Sequence, residues 1–162
     1  MARHVFFSFD FKGDSHRVAQ VRNSWVIKDE GEANPLLDHA AWEKVERQGD
    51  GAIKRWIDEH MHGASVTVVL IGAETYTRPW VKYEIQQSHK NGKGLLGVTL
   101  TGVKDLNRIV GTAGPDPIAA CDLRDRYGNK IYYPVYHWVV GNGRENLSSW
   151  VEDAAKKAGR AG

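Results

Sequence analysis

Residues 65–91 constrain the fold of this chain more than any other stretch. Ser65-Val66-Thr67-Val68-Val69-Leu70-Ile71-Gly72 is a short β-branched run with little polar alternation, the pattern of a strand covered on both faces within a parallel sheet. Parallel strands need crossovers, and one begins at once. After Ala73-Glu74-Thr75-Tyr76-Thr77, the segment Arg78-Pro79-Trp80-Val81-Lys82-Tyr83-Glu84-Ile85 reads as a helix. Thr77 offers an N-cap oxygen, and Pro79 sits in the first turn, where its missing N–H costs nothing. Trp80 and Glu84, four apart, share one face near the N-terminal end of that helix. This end lies beside the carboxyl edge of the strand, where open α/β sheets hold ligands. Spacing alone more often means one packed and one solvated side chain, so the context of the pair has to decide.

The preceding sequence supplies neighbours for that strand. His4 to Phe9 is apolar and aromatic, a first strand, and Asp10-Phe11-Lys12-Gly13-Asp14 has loop chemistry. Ser15 to Trp25 carries Val18, Val21 and Trp25 at helical spacing with Asp14 or Ser15 as N-cap, and Trp25-Val26-Ile27 reads as a short second strand. In a parallel sheet the loop after the first strand faces the same crevice as Glu84. Ser8, Phe9 and Asp10 are therefore candidate ligand contacts, with turn capping as the competing role for Asp10. Lys28 to Gly49 is polar, broken by Gly31, Pro35 and Gly49, with Leu36, Leu37 and Trp42 as its large apolar residues. It reads as a long excursion of the kind that often carries function. Trp42 either closes over the crevice or, as the favoured reading, packs beneath the loop. Ala52 to Met61 is a helix with Ile53, Trp56, Ile57 and Met61 on one face.

Asn91-Gly92-Lys93-Gly94 ends the Glu84 helix, and Leu95 to Leu100 is another apolar strand. Strands alternating with helices predict a flavodoxin- or Rossmann-like three-layer α/β sandwich, a mostly parallel sheet with helices on both faces. Val5, Phe7, Val68, Leu70, Leu96 and Val98 are its expected core. Further on, Gly111 to Pro117 is loop, Asp122 to Lys130 a charged turn, and Ile131 to Val140 a strand. Its Tyr132, Tyr133, Tyr136 and Trp138 are either core or a partner surface. Glu145 to Lys157 closes the chain as a helix with basic residues near its C-terminus, as the helix dipole prefers.

Composition narrows the partners. At 162 residues the chain is expected to be one domain, 1–162. Lys and Arg total 22 against 20 acids and are interspersed with them, so nucleic acid is not an expected partner. The single Cys121 has no internal disulfide partner, which suits a reducing cytoplasm. Asp10, Lys12 and Asp14 follow the first apolar run too closely for a signal peptide, and no segment approaches the roughly 20 apolar residues of a membrane span. His60 and His62 lack further ligands at a recognisable spacing, so no metal is expected.

Thr75-x-x-Arg78-x-Trp80-Val81-x-Tyr83-Glu84-Ile85, directly after Val69-Leu70-Ile71-Gly72, resembles the signature of the TIR-like family that includes the Thoeris anti-phage ThsB proteins. The likeness runs in order through His4-Val5-Phe6-Phe7-Ser8-Phe9-Asp10, Trp42-Glu43-Lys44, Ile53-Lys54-Arg55-Trp56-Ile57 and Leu95-Leu96-Gly97-Val98, roughly the first hundred residues. Val81 stands where many TIR domains carry Cys, which places the chain with the TIR-like branch.

The resemblance implies NAD as a substrate rather than a bound cofactor, with Glu84 catalytic and Ser8, Phe9, Asp10 and Trp80 as NAD contacts. It further implies a cyclic ADP-ribose-type product that reaches a separate effector, a phage-derived activator, and a site completed by a neighbouring subunit. The residue types suit that chemistry. Nicotinamide leaves as a neutral molecule, positive charge moves onto the ribose, and a carboxylate beside the sugar stabilises it. The alternative is a non-catalytic interaction module on the same fold. A phospho-receiver would need an acceptor Asp where Gly72-Ala73 stands, and a flavin site would need a Ser/Thr/Gly-rich first loop.

Overall fold

The computed structural model describes residues 3–28, 31–35 and 39–159. Strands β1 (His4–Ser8), β2 (Glu32–Ala33), β3 (Val66–Ile71), β4 (Gly94–Thr99) and β5 (Val135–His137) form one sheet in the order β2-β1-β3-β4-β5, every neighbouring pair parallel. Helices α1 (Phe11–Lys28), α2 (His39–Arg47), α3 (Asp50–Met61), α4 (Pro79–Lys90), α5 (Pro117–Ala120) and α6 (Gly143–Lys157) connect and cover it. The fold is the expected flavodoxin-like α/β arrangement. The order in which the chain adds strands to the sheet reverses between β1 and β3, which makes their carboxyl ends the switch point where ligands bind in such folds.

The two faces of the sheet carry separate cores. Val5 and Phe7 of β1, Val68 and Leu70 of β3, and Leu96 and Val98 of β4 are at most 1% exposed and pack under α1 (Val18, Val21, Trp25) and α6 (Leu147, Val151, Ala155). On the other face Phe6 meets Ile53, Ile57 and Met61 of α3, while Val69, Ile71 and Leu95 meet Val81 and Ile85 of α4 and Ile118 of α5. Both faces of β3 and β4 are buried along their whole length, which is why their sequence shows no alternation. Each buried Val, Leu, Ile or Phe contributes about 1.5–3 kcal/mol.

Several expectations are corrected. Trp25-Val26-Ile27 is not a strand, because α1 runs on through it and the Trp25 indole N–H donates to the carbonyl of Glu32 in the true second strand at 3.0 Å. The apolar spacing Val18, Val21, Trp25 outweighs the β-branched pair that follows. α1 also starts earlier than Ser15, at Phe11: the Asp14 N–H donates to the Asp10 carbonyl at 3.0 Å, and Gly13 fits because a Cβ there would meet Asp10 Oδ2 at 2.4 Å. The excursion from Lys28 to Gly49 contains β2 and the amphipathic α2, with Trp42 and Val45 turned toward the α3 core; Leu36 and Leu37 lie outside the described residues.

Arg78 rather than Thr77 is the N-cap of α4, since Thr77 belongs to a 3-10 turn (Thr75–Thr77) and its hydroxyl donates to the Glu74 carbonyl at 2.7 Å. Ile131 to Val140 shrinks to β5. Its aromatics divide: Trp138 is buried in the core, Tyr136 stacks on Trp150 at 4.4 Å, Tyr133 and His89 share a 2.8 Å hydrogen bond, and Tyr132 is exposed. No helix among the described residues is long and apolar enough to cross a membrane.

Candidate active site

Strand alternation places Ser8 on the α4 side of the sheet, at the carboxyl end of β1. The helical turn of α4 brings Glu84 over it. The Ser8 hydroxyl donates to Glu84 Oε1 at 2.8 Å, with Ser8 fully buried and Glu84 only 8% exposed. Burial disfavours the charged carboxylate and pushes Glu84 from an ordinary 4.5 up to about 8, while the Ser8 hydrogen bond acts in the opposite direction. The carboxyl is thus mostly protonated at neutral pH, and a cation beside it would draw the proton off.

A cavity of about 210 Å³ opens above this pair. Phe9, Asp10 and Phe11 line it from the end of β1, Asn34 and Pro35 from the end of β2, and Arg78, Trp80 and Glu84 from the start of α4. Trp42 and Glu46 of α2 and Trp56 of α3 complete the wall. Its aromatics form a connected row. Phe9 and Phe11 are 6.2 Å apart between ring centroids, Phe11 and Trp42 5.5 Å, and Trp42 and Trp56 6.0 Å with the rings edge-on. Trp80 stands edge-on to Tyr83 at 5.8 Å. All five cavity-lining aromatics named here are half-buried, so each keeps part of its surface open.

Ser8, Phe9, Asp10, Trp80 and Glu84 are brought together at one end of the sheet, with the first of them beneath the cavity floor rather than on its wall. Asp10 is buried, and its carboxylate is taken by Arg78, whose Nε donates to Oδ1 at 2.9 Å and whose terminal nitrogen donates to Oδ2 at 3.4 Å. It starts α1 and anchors the loop ahead of α4 as well as lining the cavity. Trp42 both packs against the α3 core and faces the cavity.

Phe11, Asn34, Glu46, Trp56 and Arg78 also line the cavity and were not read as site residues. Asn34 is held in place like a strand residue: its Oδ1 accepts from the Phe7 N–H at 2.8 Å and its Nδ2 donates to the Phe7 carbonyl at 3.1 Å. The polar sequence around it carries no periodic signal of that pairing.

His60 is used within α3, its ring 4.1 Å from Trp56 and its Nδ1 donating to the Trp56 carbonyl at 2.7 Å. No group of three or more His, Cys, Asp or Glu suited to a metal occurs among the described residues. Burial raises the Cys121 thiol above its ordinary value, so it is not an activated thiolate.

The cavity falls inside the stretch that matches a known family. Residues 6–105 match the model for Thoeris protein ThsB, TIR-like domain. The chain belongs to the ThsB TIR-like family. A curated relative from Bacillus cereus (strain MSX-D12), named "Putative cyclic ADP-D-ribose synthase ThsB1", is 32% identical over 93% of this chain and 100% of its own length. In this TIR-like domain every cavity-lining residue, from Phe7 to Glu84, lies within the matched segment.

Proposed function

We propose that this TIR-like domain is an enzyme of Thoeris anti-phage defence that breaks the nicotinamide–ribose bond of NAD and forms a cyclic ADP-ribose-type signal. The observation that carries the reading is the buried Glu84 carboxyl, oriented by Ser8 at the end of an aromatic-lined cavity. The name of the Bacillus cereus relative supports the product class.

In this mechanism the pyridinium charge of bound NAD favours the ionised form of Glu84, so substrate binding itself switches the carboxyl to the form that acts. As the bond from the ribose anomeric carbon to the nicotinamide nitrogen breaks, its electron pair returns to the ring and positive charge passes to the sugar. Glu84 stabilises that charge and can accept hydrogen bonds from the ribose hydroxyls. Trp80 stacks on the departing ring, where a cationic ring is held more strongly than the neutral product. A lone pair from the adenosine half of the same molecule closes the new bond, and any proton on the attacking atom passes to solvent. Water in that place would give linear ADP-ribose instead. Lys12, on the cavity rim, supplies positive charge for the pyrophosphate.

The active form requires a phage-derived activator or assembly with further copies, and the product acts on a separate effector in the cytoplasm. A segment with few buried anchors suits such control, and α2 is one: none of residues 40–47 is fully buried. The test is incubation with NAD across a range of protein concentrations and with infected-cell lysate, with products resolved by mass. Nicotinamide and a cyclic product that appear with the wild type and vanish with Glu84→Gln are expected. NAD left intact by assembled, lysate-treated protein would return the domain to the class of interaction modules.

A further inference from the structure

We propose that Trp42 and Glu46 form a second nucleoside subsite in the cavity and take the adenosine half of the substrate, an assignment that rests on NAD being that substrate. The cavity carries two aromatic–carboxyl pairs of the same helical spacing: Trp80 and Glu84 on α4, and Trp42 and Glu46 on α2. Side chains four apart on a helix project side by side, so each pair offers a flat apolar surface next to carboxyl oxygens. That is the combination a nucleoside requires, a π-face for the base and acceptors for the two ribose hydroxyls.

The α2 pair has no competing structural assignment that accounts for both members. Trp25 and Trp138, which serve the core, are 3% and 6% exposed, whereas Trp42 is half-buried with part of its surface on the cavity. Its ring is held in one attitude by Phe11 at 5.5 Å, tilted 32°, and by Trp56 edge-on at 6.0 Å. Glu46 faces the same cavity and makes no side-chain hydrogen bond or ion pair among the described residues, unlike Glu43 on the same helix, which pairs with Arg47. A dinucleotide has two nucleosides, and the wall holds one such pair for each. Holding both halves in one cavity folds the substrate on itself and presents the adenosine half to the anomeric carbon.

The probe is adenosine 5′-monophosphate, which carries this half of the substrate and lacks nicotinamide. It is titrated calorimetrically into the full chain and into Trp42→Ala, Trp42→Phe, Glu46→Gln and Trp80→Ala variants whose circular dichroism matches the wild type. Loss of one base-stacking partner should weaken binding by roughly tenfold or more in Trp42→Ala, with substantial rescue in Trp42→Phe. Glu46→Gln should weaken it several-fold. With NAD as substrate, Trp42→Ala should raise KM and move the product from cyclic toward linear. Nucleotide binding that persists in Trp42→Ala and Glu46→Gln, that is lost only in Trp80→Ala, or that is absent from the wild type overturns the subsite. Nucleotide binding through Trp42 and Glu46 without NAD turnover would reject the enzymatic reading and leave the subsite standing, whereas turnover with unaltered binding in both α2 variants would do the reverse.

Discussion

The hydroxyl of Ser8 and Oε1 of Glu84 stand 2.8 Å apart, joining the carboxyl end of β1 to the second turn of α4. Glu84 titrates near 8 because burial outweighs this one hydrogen bond. If the ionised carboxylate is the reactive form, kcat/KM for NAD rises about tenfold per pH unit below that value and levels off above it. Ser8→Ala removes the contact that favours ionisation and is expected to shift the whole limb to higher pH. Rate profiles of the two proteins check this, and a wild-type profile that is flat between about pH 6 and 8 would exclude Glu84 as the group that titrates.

Glu84→Gln separates activity from stability. The folded chain holds a proton on Glu84 up to about 8, whereas the unfolded chain releases it near 4.5. Stability contributed by this group is therefore complete below 4.5 and declines as pH rises toward 8, because the native state binds more protons in that window. The amide carries no such proton. The variant is expected to melt above the wild type near pH 8, with the gap closing toward pH 5, while NAD conversion falls at least about a hundredfold, roughly 3 kcal/mol of barrier. Thermal denaturation at the two pH values, beside the product assay, measures both.

Arg78→Ala strips the buried Asp10 carboxylate of its ion-pair partner at the cavity wall. Asp10 is 2% exposed, but the Arg78 side chain is 40% exposed and water already screens the pair. The expected loss is about 1–3 kcal/mol, mostly the penalty of an uncompensated buried charge. Adding Asp10→Asn to the same chain should recover much of it. Urea titrations of the single and double variants give the coupling directly, and strictly additive losses would mean that the pair contributes nothing.

Gly72→Ala tests how tightly the end of β3 is packed. A Cβ at Gly72 would lie 1.9 Å from Asp14 Oδ2, an atom that is buried and has no hydrogen-bond partner among the described residues. The carboxyl is held from its other oxygen by Arg17 at 3.3 Å, and burial raises its titration above the usual carboxylate range. Overpacking of this kind costs about 1–3 kcal/mol. Shortening the neighbour in a Gly72→Ala, Asp14→Ala double variant should restore most of the loss, again read by urea titration.

The legible parts of the sequence are those where one local pattern has one structural meaning. Val66 to Ile71 and Leu95 to Thr99 are buried on both faces and read as strands without help from context. Trp25-Val26-Ile27 resembles a strand because a β-branched pair at the end of a helix is locally ambiguous, and the continued Val18, Val21, Trp25 spacing together with the indole bond to Glu32 marks it as helix. α2 reads as part of a polar excursion because Gly31, Pro35 and Gly49 break the stretch around it, although Trp42 and Val45, three apart, give it an apolar face. In the site, spacing placed Trp80 beside Glu84, and strand order brought Ser8, Phe9 and Asp10 to them. Asn34, Glu46 and Trp56 come from elements whose meeting depends on how helices pack across the sheet, and residue spacing does not encode that.

None of residues 40–47 is fully buried, so the described side chains of α2 are at most half-buried. Such an element opens locally at far lower free energy than the whole domain unfolds, and its amides exchange with solvent hydrogen accordingly. Any ligand that touches Trp42 then binds with its intrinsic affinity reduced by the fraction of time the helix is closed. Affinity at this cavity is tunable from outside it. Glu43, which does not line the cavity, braces the helix through its 3.5 Å pair with Arg47, and loosening that exposed brace would weaken ligand binding without altering a single ligand contact.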